Sequence, residues 1–457
     1  MTSAGVVGAG SAAALLEDFG SGAKSPIDVT AEILDRVQSV NPTLSAFLAV
    51  DSVGAKQAAV QADRAWRDFR RGRGPAPGPL CGVPVSVKDT IEVGGMPTTY
   101  GSLAFAEHLS EDSMIATRLR EAGAIILGKT NTSEFALSSV TWNRLAPPTR
   151  NPWNLEASPG GSSGGAAAAV AAALGPIAIG TDSAGSIRFP AAVTGLVGLK
   201  PTRGAIPVIQ RWRASPTRSH PGVITRTIAD ARLTFATLSG HRHQTDTGFG
   251  APLVGVIGRD DDEAVDAAVG YLEQLGAKII EAAPLPTSPL PESIGDGLWP
   301  FGAEHFAAAN DLQPGFLDRN AKLLTSYALP LYKQGAKALA WEYRSVLNLS
   351  AEYARRLTAW AAPYDVVLTA TRSTPVLLPA SVDRLGLGPK SPELSPWNYS
   401  GHPAIVLPIG EVPGKPPSSV QIIGQPGDDH RLLNLAAALE AARQWLPAAP
   451  LLQTSGN

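Results

Sequence analysis

Residues 157 to 181 contain no charged side chain. An uncharged run of that length can be a flexible spacer, a membrane span, or a segment enclosed by a large core. The spacer reading rests on GGSSGG (160–165), which has the composition of a flexible Gly/Ser linker. It fails on the next nine residues, because AAAAVAAAL (166–174) would bury a helix against a core. The membrane reading fails as well: alanine is only weakly apolar, and Gly175 and Pro176 interrupt the run short of the roughly 20 apolar residues a span needs. What remains is a rigid loop, a buried helix and a second loop that carries Asp182 to Arg188. Enclosing such a segment takes a large core, and a chain of 457 residues, 44% of them hydrophobic, can supply one.

The rest of the chain reads as helices and strands in alternation. RLREAGAIILGK (118–129) and YLEQLGAKIIEA (271–282) share one design, an amphipathic helix running through a glycine into an apolar strand, the α-to-β unit of a helix-covered sheet. Ser25-Pro26 predicts an N-cap with proline at the first helical position, and a second helix is expected over roughly residues 51–72. GVPVSVKD (82–89) and YDVVLTAT (364–371) read as strands, residues 298–362 as a helical region, and Leu432 to Trp445 as a closing amphipathic helix. The Pro/Gly-rich joints at 72–82 and 283–293 are not long flexible linkers.

Composition removes several classes of function. With a net charge of -2 and one short basic run (Arg67, Arg70, Arg71, Arg73) at a helix end, the chain has no footprint for nucleic acid. The lone Cys81 excludes an intrachain disulfide, and no Cys or His stands at metal-ligand spacing around it; His241 and His243 lie in the polar stretch HRHQTD. No metal and no cofactor are expected. The N-terminus lacks a basic region before its apolar stretch, so a cytoplasmic, membrane-free protein is expected.

Two serine-hydrolase patterns compete for attention. G-x-S-x-G occurs twice in overlapping register, centred on Ser162 and on Ser163, as in a nucleophile elbow. That elbow needs an apolar strand before it and a partner histidine after it; here TRNPWNLEASP supplies a proline-broken loop and no histidine is singled out. Ser-x-x-Lys at Ser21 to Lys24 sits at a polar edge without its companion motifs.

The longer pattern resembles the amidase signature family. GVPVSVKD (82–89), GAIILGKTNTSEFA (123–136), GGSSGG (160–165), GTDSAGSIRFPA (180–191) and GLVGLKPTRG (195–204) occur in family order. TRTIADA (225–231), YDVVLTAT (364–371), NYSGHPAIVLPIG (398–410) and VQIIGQP (420–426) extend the likeness over nearly the whole chain. The resemblance implies an α/β fold, a large mixed β-sheet covered by helices on both faces. It implies one domain over 1–457, with a more variable, mainly helical region at about 290–362.

It also implies a catalytic trio: Ser186 as nucleophile, Ser162 as proton relay following a cis Gly161–Ser162 bond, and Lys88 as base. A serine hydroxyl must lose its proton as it attacks, so it needs an adjacent base. Lysine can serve only when neutral, and its ordinary pKa of about 10.4 would have to fall by about three pH units, equivalent to about 4 kcal/mol. Desolvation can supply that. Backbone N–H groups of Ser183, Ala184 and Gly185, with Ser186, are expected to form the oxyanion hole. Ser183-Ala184 stands where the family usually has Thr or Ile followed by Gly, so a methyl group is added there. The backbone at Ala136 is expected to face the leaving group, with Ser138 to Asn143 at the entrance. Asp182 and Arg188 read as a structural ion pair and Lys200 as structural. RWRASPTRSH (211–220) is either a substrate-facing loop or a surface excursion, and Trp299, Phe301 and Trp397 are either pocket walls or core. The expected partner is a small-molecule amide, ester or carbamate, the protein acting as monomer or homodimer. The alternative is the A subunit of a tRNA-dependent amidotransferase.

Overall fold

The structure is a computed structural model that describes residues 10–208, 210, 215–240, 250–259, 262–290, 298–371, 376–378, 392–410 and 416–443, with side chains from Gly302 onward in the helix Leu298–Leu312. Its frame is an 11-stranded sheet. In chain order the strands are β1 (Phe47–Val50), β2 (Pro84–Lys88), β3 (Ile125–Thr130), β4 (Ile177–Asp182), β5 (Val197–Lys200), β6 (His220–Thr225), β7 (Leu253–Ile257), β8 (Lys278–Glu281), β9 (Val366–Ala370), β10 (Ala404–Gly410) and β11 (Ser418–Gly424). Their spatial order is β1-β3-β2-β4-β6-β5-β10-β11-β9-β7-β8. Joins within β3-β2-β4 and β8-β7-β9 are parallel and the rest antiparallel, a mixed sheet.

Up to β8 the helices are α1 (Ala12–Ser21), α2 (Pro26–Leu44), α3 (Ser52–Arg70), α4 (Met114–Glu121), α5 (Gly164–Ala171), α6 (Arg188–Thr194), α7 (Ile228–Ser239) and α8 (Glu263–Gln274). Both α-to-β units form as read, α4 passing into β3 and α8 into β8. Ser25 caps α2, its hydroxyl accepting from Asp28 N–H at 3.1 Å with Pro26 at the first position.

Strand parity decides what each face of the sheet holds. Val85 and Val87 of β2 and Ile177 and Ile179 of β4 join one core with residues of α4, α7, α8 and the C-terminal helix Asp429–Arg443. Ala178 points the other way, into a cluster with Ala166, Ala167 and Val170 of α5 and Ala191 of α6. Further along that side α2 and α3 pack with Ile125 and Leu127 of β3. Helices therefore cover both faces. Ser86 pairs with Ala178, so Lys88, two residues on, projects to the α5 side.

The second loop lies where the sequence suggests, but the strand that leads into it was not read. Ile177–Asp182 is central strand β4, and the loop is confined to the residues between Asp182 and Arg188. A fully buried strand has no polar alternation to mark it, and this one ends in Gly-Thr-Asp, which reads as turn.

The helical region comprises Leu298–Leu312, Phe316–Asn320, Ala328–Gly335 and Ala340–Ala361. Its first and third helices cross at Gly302 and Gly335, where a Cβ on Gly335 would lie 2.0 Å from the Gly302 carbonyl oxygen. Phe316, Tyr327 and Tyr332 pack with Tyr100, Phe105, Phe135 and Trp142. Among the described residues no helix is long and apolar enough to cross a membrane, and no group of three or more His, Cys, Asp or Glu could hold a metal ion.

Candidate active site

Lys88 ends β2, and parity turns it towards the N-terminus of α5. Its side chain is fully buried, and Nζ donates to Ser162 Oγ at 2.7 Å and to Thr181 Oγ1 at 2.9 Å. Two other fully buried lysines show what sets it apart. Lys129 is ion-paired with Asp89 at 3.0 Å, and Lys200 donates to the carbonyls of His402 (2.5 Å) and Pro201 (3.3 Å). Lys88 meets two hydroxyls and, at 3.4 Å, the Thr181 carbonyl, with no carboxylate in salt-bridge contact among the described residues. Burial lowers its pKa to about 7, with the charge of Asp182 opposing the shift.

Ser162 is fully buried, and the Gly161–Ser162 peptide bond is cis. Gly161 abuts the 138–140 segment so closely that a Cβ would lie 2.9 Å from Ser138 O. Thr141 Oγ1 donates to Gly160 O at 2.9 Å and accepts from Gly164 N–H at 3.1 Å. The expected entrance residues are thus fastened to the loop that carries Ser162. Ser163 donates its N–H to Ser186 O at 3.1 Å and its hydroxyl to Thr181 O at 3.2 Å. Among the described residues, the side-chain hydrogen bond within the trio is that of Lys88 with Ser162. Ser186, half-buried, is attached through its backbone.

Asp182 organises the loop that carries Ser186. It accepts from Gly185 N–H (2.8 Å) and Ile187 N–H (3.2 Å), and pairs with both arms of Arg188, Nε at 3.0 Å and Nη2 at 2.9 Å. Arg188 also donates to Leu394 O, Gln421 Oε1 and Asn398 Oδ1. Burial alone would raise the Asp182 pKa, but the Arg188 guanidinium and the Asn398 amide hold it well below the usual carboxylate range. The structural ion pair read from the sequence is present.

One expectation needs correction. The Gly185 N–H, expected in the oxyanion hole, is already engaged by Asp182. Gly185 instead shapes the loop: at φ 112° a side chain is strained, and a Cβ would meet Leu394 Cδ1 at 2.8 Å. Ala184 is exposed and lies outside the left-handed region, so its extra methyl group is accommodated.

Ala136 lies in a short turn, Glu134–Ala136, in which Phe135 and Ala136 both adopt left-handed φ values of 53° and 60°. Residues 211–214, His241 and His243 lie outside the described residues, as do the side chains of Trp299 and Phe301. The described part of the 211–220 stretch turns inward: Ser215, Arg218 and His220 are buried, and Ser215 and Thr217 donate to Glu304 at 3.0 and 2.9 Å. Trp397 is core, its ring tilted against Trp360 and edge-on to His402. The sequence reading missed Thr181. Its signal was its place beside the Ser186 loop, but its contact with Lys88 depends on β2 and β4 being neighbours.

A family profile described as Amidase matches residues 28–433. The chain is 31% identical to an "Acylamidase" of Rhodococcus erythropolis, over 93% of this chain and 94% of that one. It is 34% identical to the A subunit of a glutamyl-tRNA(Gln) amidotransferase of Acidothermus cellulolyticus, over 91% and 90%. Among solved structures, 6-aminohexanoate cyclic dimer hydrolase in complex with its substrate superposes with a TM-score of 0.80 at 29% identity, covering 97% of this chain and 99% of that one.

Proposed function

The chain belongs to the amidase (amidase signature) family of hydrolases that act on amides, and from that premise we propose that it cleaves the C–N bond of linear amides through an acyl-enzyme on Ser186. The observation that carries this reading is a buried lysine, its pKa lowered to about 7, in a 2.7 Å hydrogen bond with the serine behind a cis peptide bond. Ser186 Oγ attacks the substrate carbonyl carbon while its proton passes to Ser162, which gives its own to neutral Lys88. The oxyanion is met by backbone N–H groups of Ser183, Ala184 and Ser186, with Gly185 holding the loop's shape. As the tetrahedral intermediate collapses, the C–N bond breaks and the departing amine takes a proton from Ser162, which is resupplied by the Lys88 ammonium. Water then attacks the acyl-enzyme along the same relay and releases the acid. Contacts of this kind are often loose without substrate and tighten when it binds, which accommodates a Ser186 hydroxyl not yet bonded to Ser162. Aryl amides, esters and carbamates pass through equivalent intermediates and belong to the proposed substrate range.

A mutant series on one chromogenic amide tests the trio. Ser186→Ala should abolish turnover, Ser162→Ala and Lys88→Ala should reduce it by orders of magnitude, and no single His→Ala change should do so. Retained activity in Ser186→Ala overturns the mechanism, and loss through one histidine revives an elbow-type hydrolase. The likeness to an amidotransferase A subunit supports a second reading, in which glutamine supplies ammonia within a complex. Purified chain that cleaves an aryl amide alone and ignores glutamine excludes it; a glutamine-dependent activity that needs added subunits favours it.

A further inference from the structure

Two consecutive left-handed residues that are not glycine, Phe135 and Ala136, persist only where their surroundings hold them, at a cost of about 1–3 kcal/mol each. The helical region does much of the holding. The Glu134 carboxylate, 1% exposed, accepts from Thr325 N–H at 2.7 Å and Thr325 Oγ1 at 2.6 Å, beside Ser102 Oγ at 2.6 Å. Glu134 N–H donates to Tyr327 Oη at 2.6 Å, and that hydroxyl donates onward to Trp142 O at 3.0 Å. One phenol therefore ties together both ends of the 134–142 segment. The Phe135 ring packs against Phe316 and Tyr332, with centroids 6.1 and 5.0 Å apart. Phe316, Thr325, Tyr327 and Tyr332 all come from the stretch between Leu298 and Ala361. In the turn they grip, the Ala136 N–H is engaged by Ser133 O at 2.9 Å, so the carbonyl is the backbone group Ala136 can offer to a ligand.

We infer that Thr325 and Tyr327, acting through Glu134, are positioning residues that aim the Ala136 carbonyl at the N–H of the scissile amide, and so make the helical region a determinant of amide over ester preference. This rests on the proposed acyl-enzyme mechanism and on the expectation, from the family resemblance, that the Ala136 backbone faces the leaving group. The chemistry is selective because an amide leaving group carries an N–H to donate and an ester oxygen has none.

The test compares an anilide and a phenyl ester of the same carboxylic acid, with kcat and KM measured for the parent protein, Tyr327→Phe, Thr325→Val and Glu134→Gln. Tyr327→Phe is expected to lower the amide-to-ester ratio of kcat/KM about tenfold, the scale of one lost hydrogen bond. Thr325→Val should lower it less, because the Thr325 N–H bond to Glu134 survives. Glu134→Gln keeps a carbonyl acceptor and should retain most of the ratio. If both substrates slow alike in Tyr327→Phe, the turn is scaffold only and the inference is overturned; a larger loss on the ester overturns it too. Should Tyr327→Phe fail to fold, Thr325→Val provides the same readout, with an unchanged ratio again counting against the inference. Ser186→Ala is run in parallel: turnover there defeats the underlying mechanism, whereas strict Ser186 dependence with an unchanged ratio defeats the inference alone.

Discussion

The loop around Ser186 and the helical region between Leu298 and Ala361 are each anchored by a buried carboxylate, and the two carboxylates are satisfied differently. Asp182, fully buried, faces a guanidinium in a fixed two-pronged pair and is fed besides by backbone N–H groups and the Asn398 amide. Glu304, 7% exposed, accepts from three hydroxyls, those of Ser215 (3.0 Å), Thr217 (2.9 Å) and Tyr343 (2.8 Å). A planar guanidinium fits a carboxylate in one geometry, while hydroxyls rotate to suit. The Ser186 loop is thus held in a single arrangement, and the helical region is joined to the 215–217 segment by contacts that can readjust.

The sharpest way to break the comparison is to remove the guanidinium. Arg188→Met leaves the Asp182 charge buried without its partner, which should cost about 3–5 kcal/mol of stability. Freed to shift, the Ser186 loop should lose on the order of 100-fold in kcat/KM. Urea denaturation and turnover on the same preparation check both. The sign with pH follows from the direction of the Asp182 shift: a carboxyl held below its ordinary value stabilises the fold above about pH 4, and that stability fades as pH falls further. The parent protein should therefore lose its advantage over Arg188→Met in acid.

A smaller effect is expected at Thr181. With Lys88 near 7, kcat/KM should rise with pH through about 7 as the neutral amine appears. Thr181 Oγ1 accepts from Lys88 Nζ at 2.9 Å and so favours the ammonium form. Thr181→Val removes that acceptor, and the acid limb of the profile should move to lower pH while the plateau falls about tenfold from looser positioning. A limb that stays in place would mean that Thr181 only packs.

These two regions also differ in how much of them could be read in advance. β2 spells out its own sidedness, Val85 and Val87 against Ser86 and Lys88, so the lysine's direction follows from period-two geometry. Small residues before Ser186 announce a tight loop, and Ser25-Pro26 a helix start. Thr181 escaped because its role arises from the pairing of β2 with β4, strands more than 80 residues apart in sequence. The engagement of Gly185 N–H by Asp182 escaped for a related reason: spacing places a donor near a loop without saying which oxygen it meets. Glu134 and Thr325 are separated by 191 positions, and no periodicity in either segment points to the other. Hydroxyl clamps leave little trace in sequence because Ser and Thr occur freely in turns and caps.

Glu304 gives the smallest expected effect and the closest test of the adjustable junction. In Glu304→Gln one oxygen becomes an NH2 donor, so at least one of the hydroxyls from Ser215, Thr217 and Tyr343 must turn from donating to accepting, which a rotor can do in place. The loss should be about 1 kcal/mol, the difference between charged and neutral hydrogen bonds, with kcat/KM on a small amide within about twofold of the parent. Arg218 stays fastened to Tyr399, its Nη1 donating to the phenol at 2.6 Å, and Asn398 still donates to Asp182, so the path from this loop to the Ser186 loop is intact. A loss of turnover as steep as that in Arg188→Met would mean that the two carboxylates hold one rigid unit, and that the helical region is as fixed as the Ser186 loop.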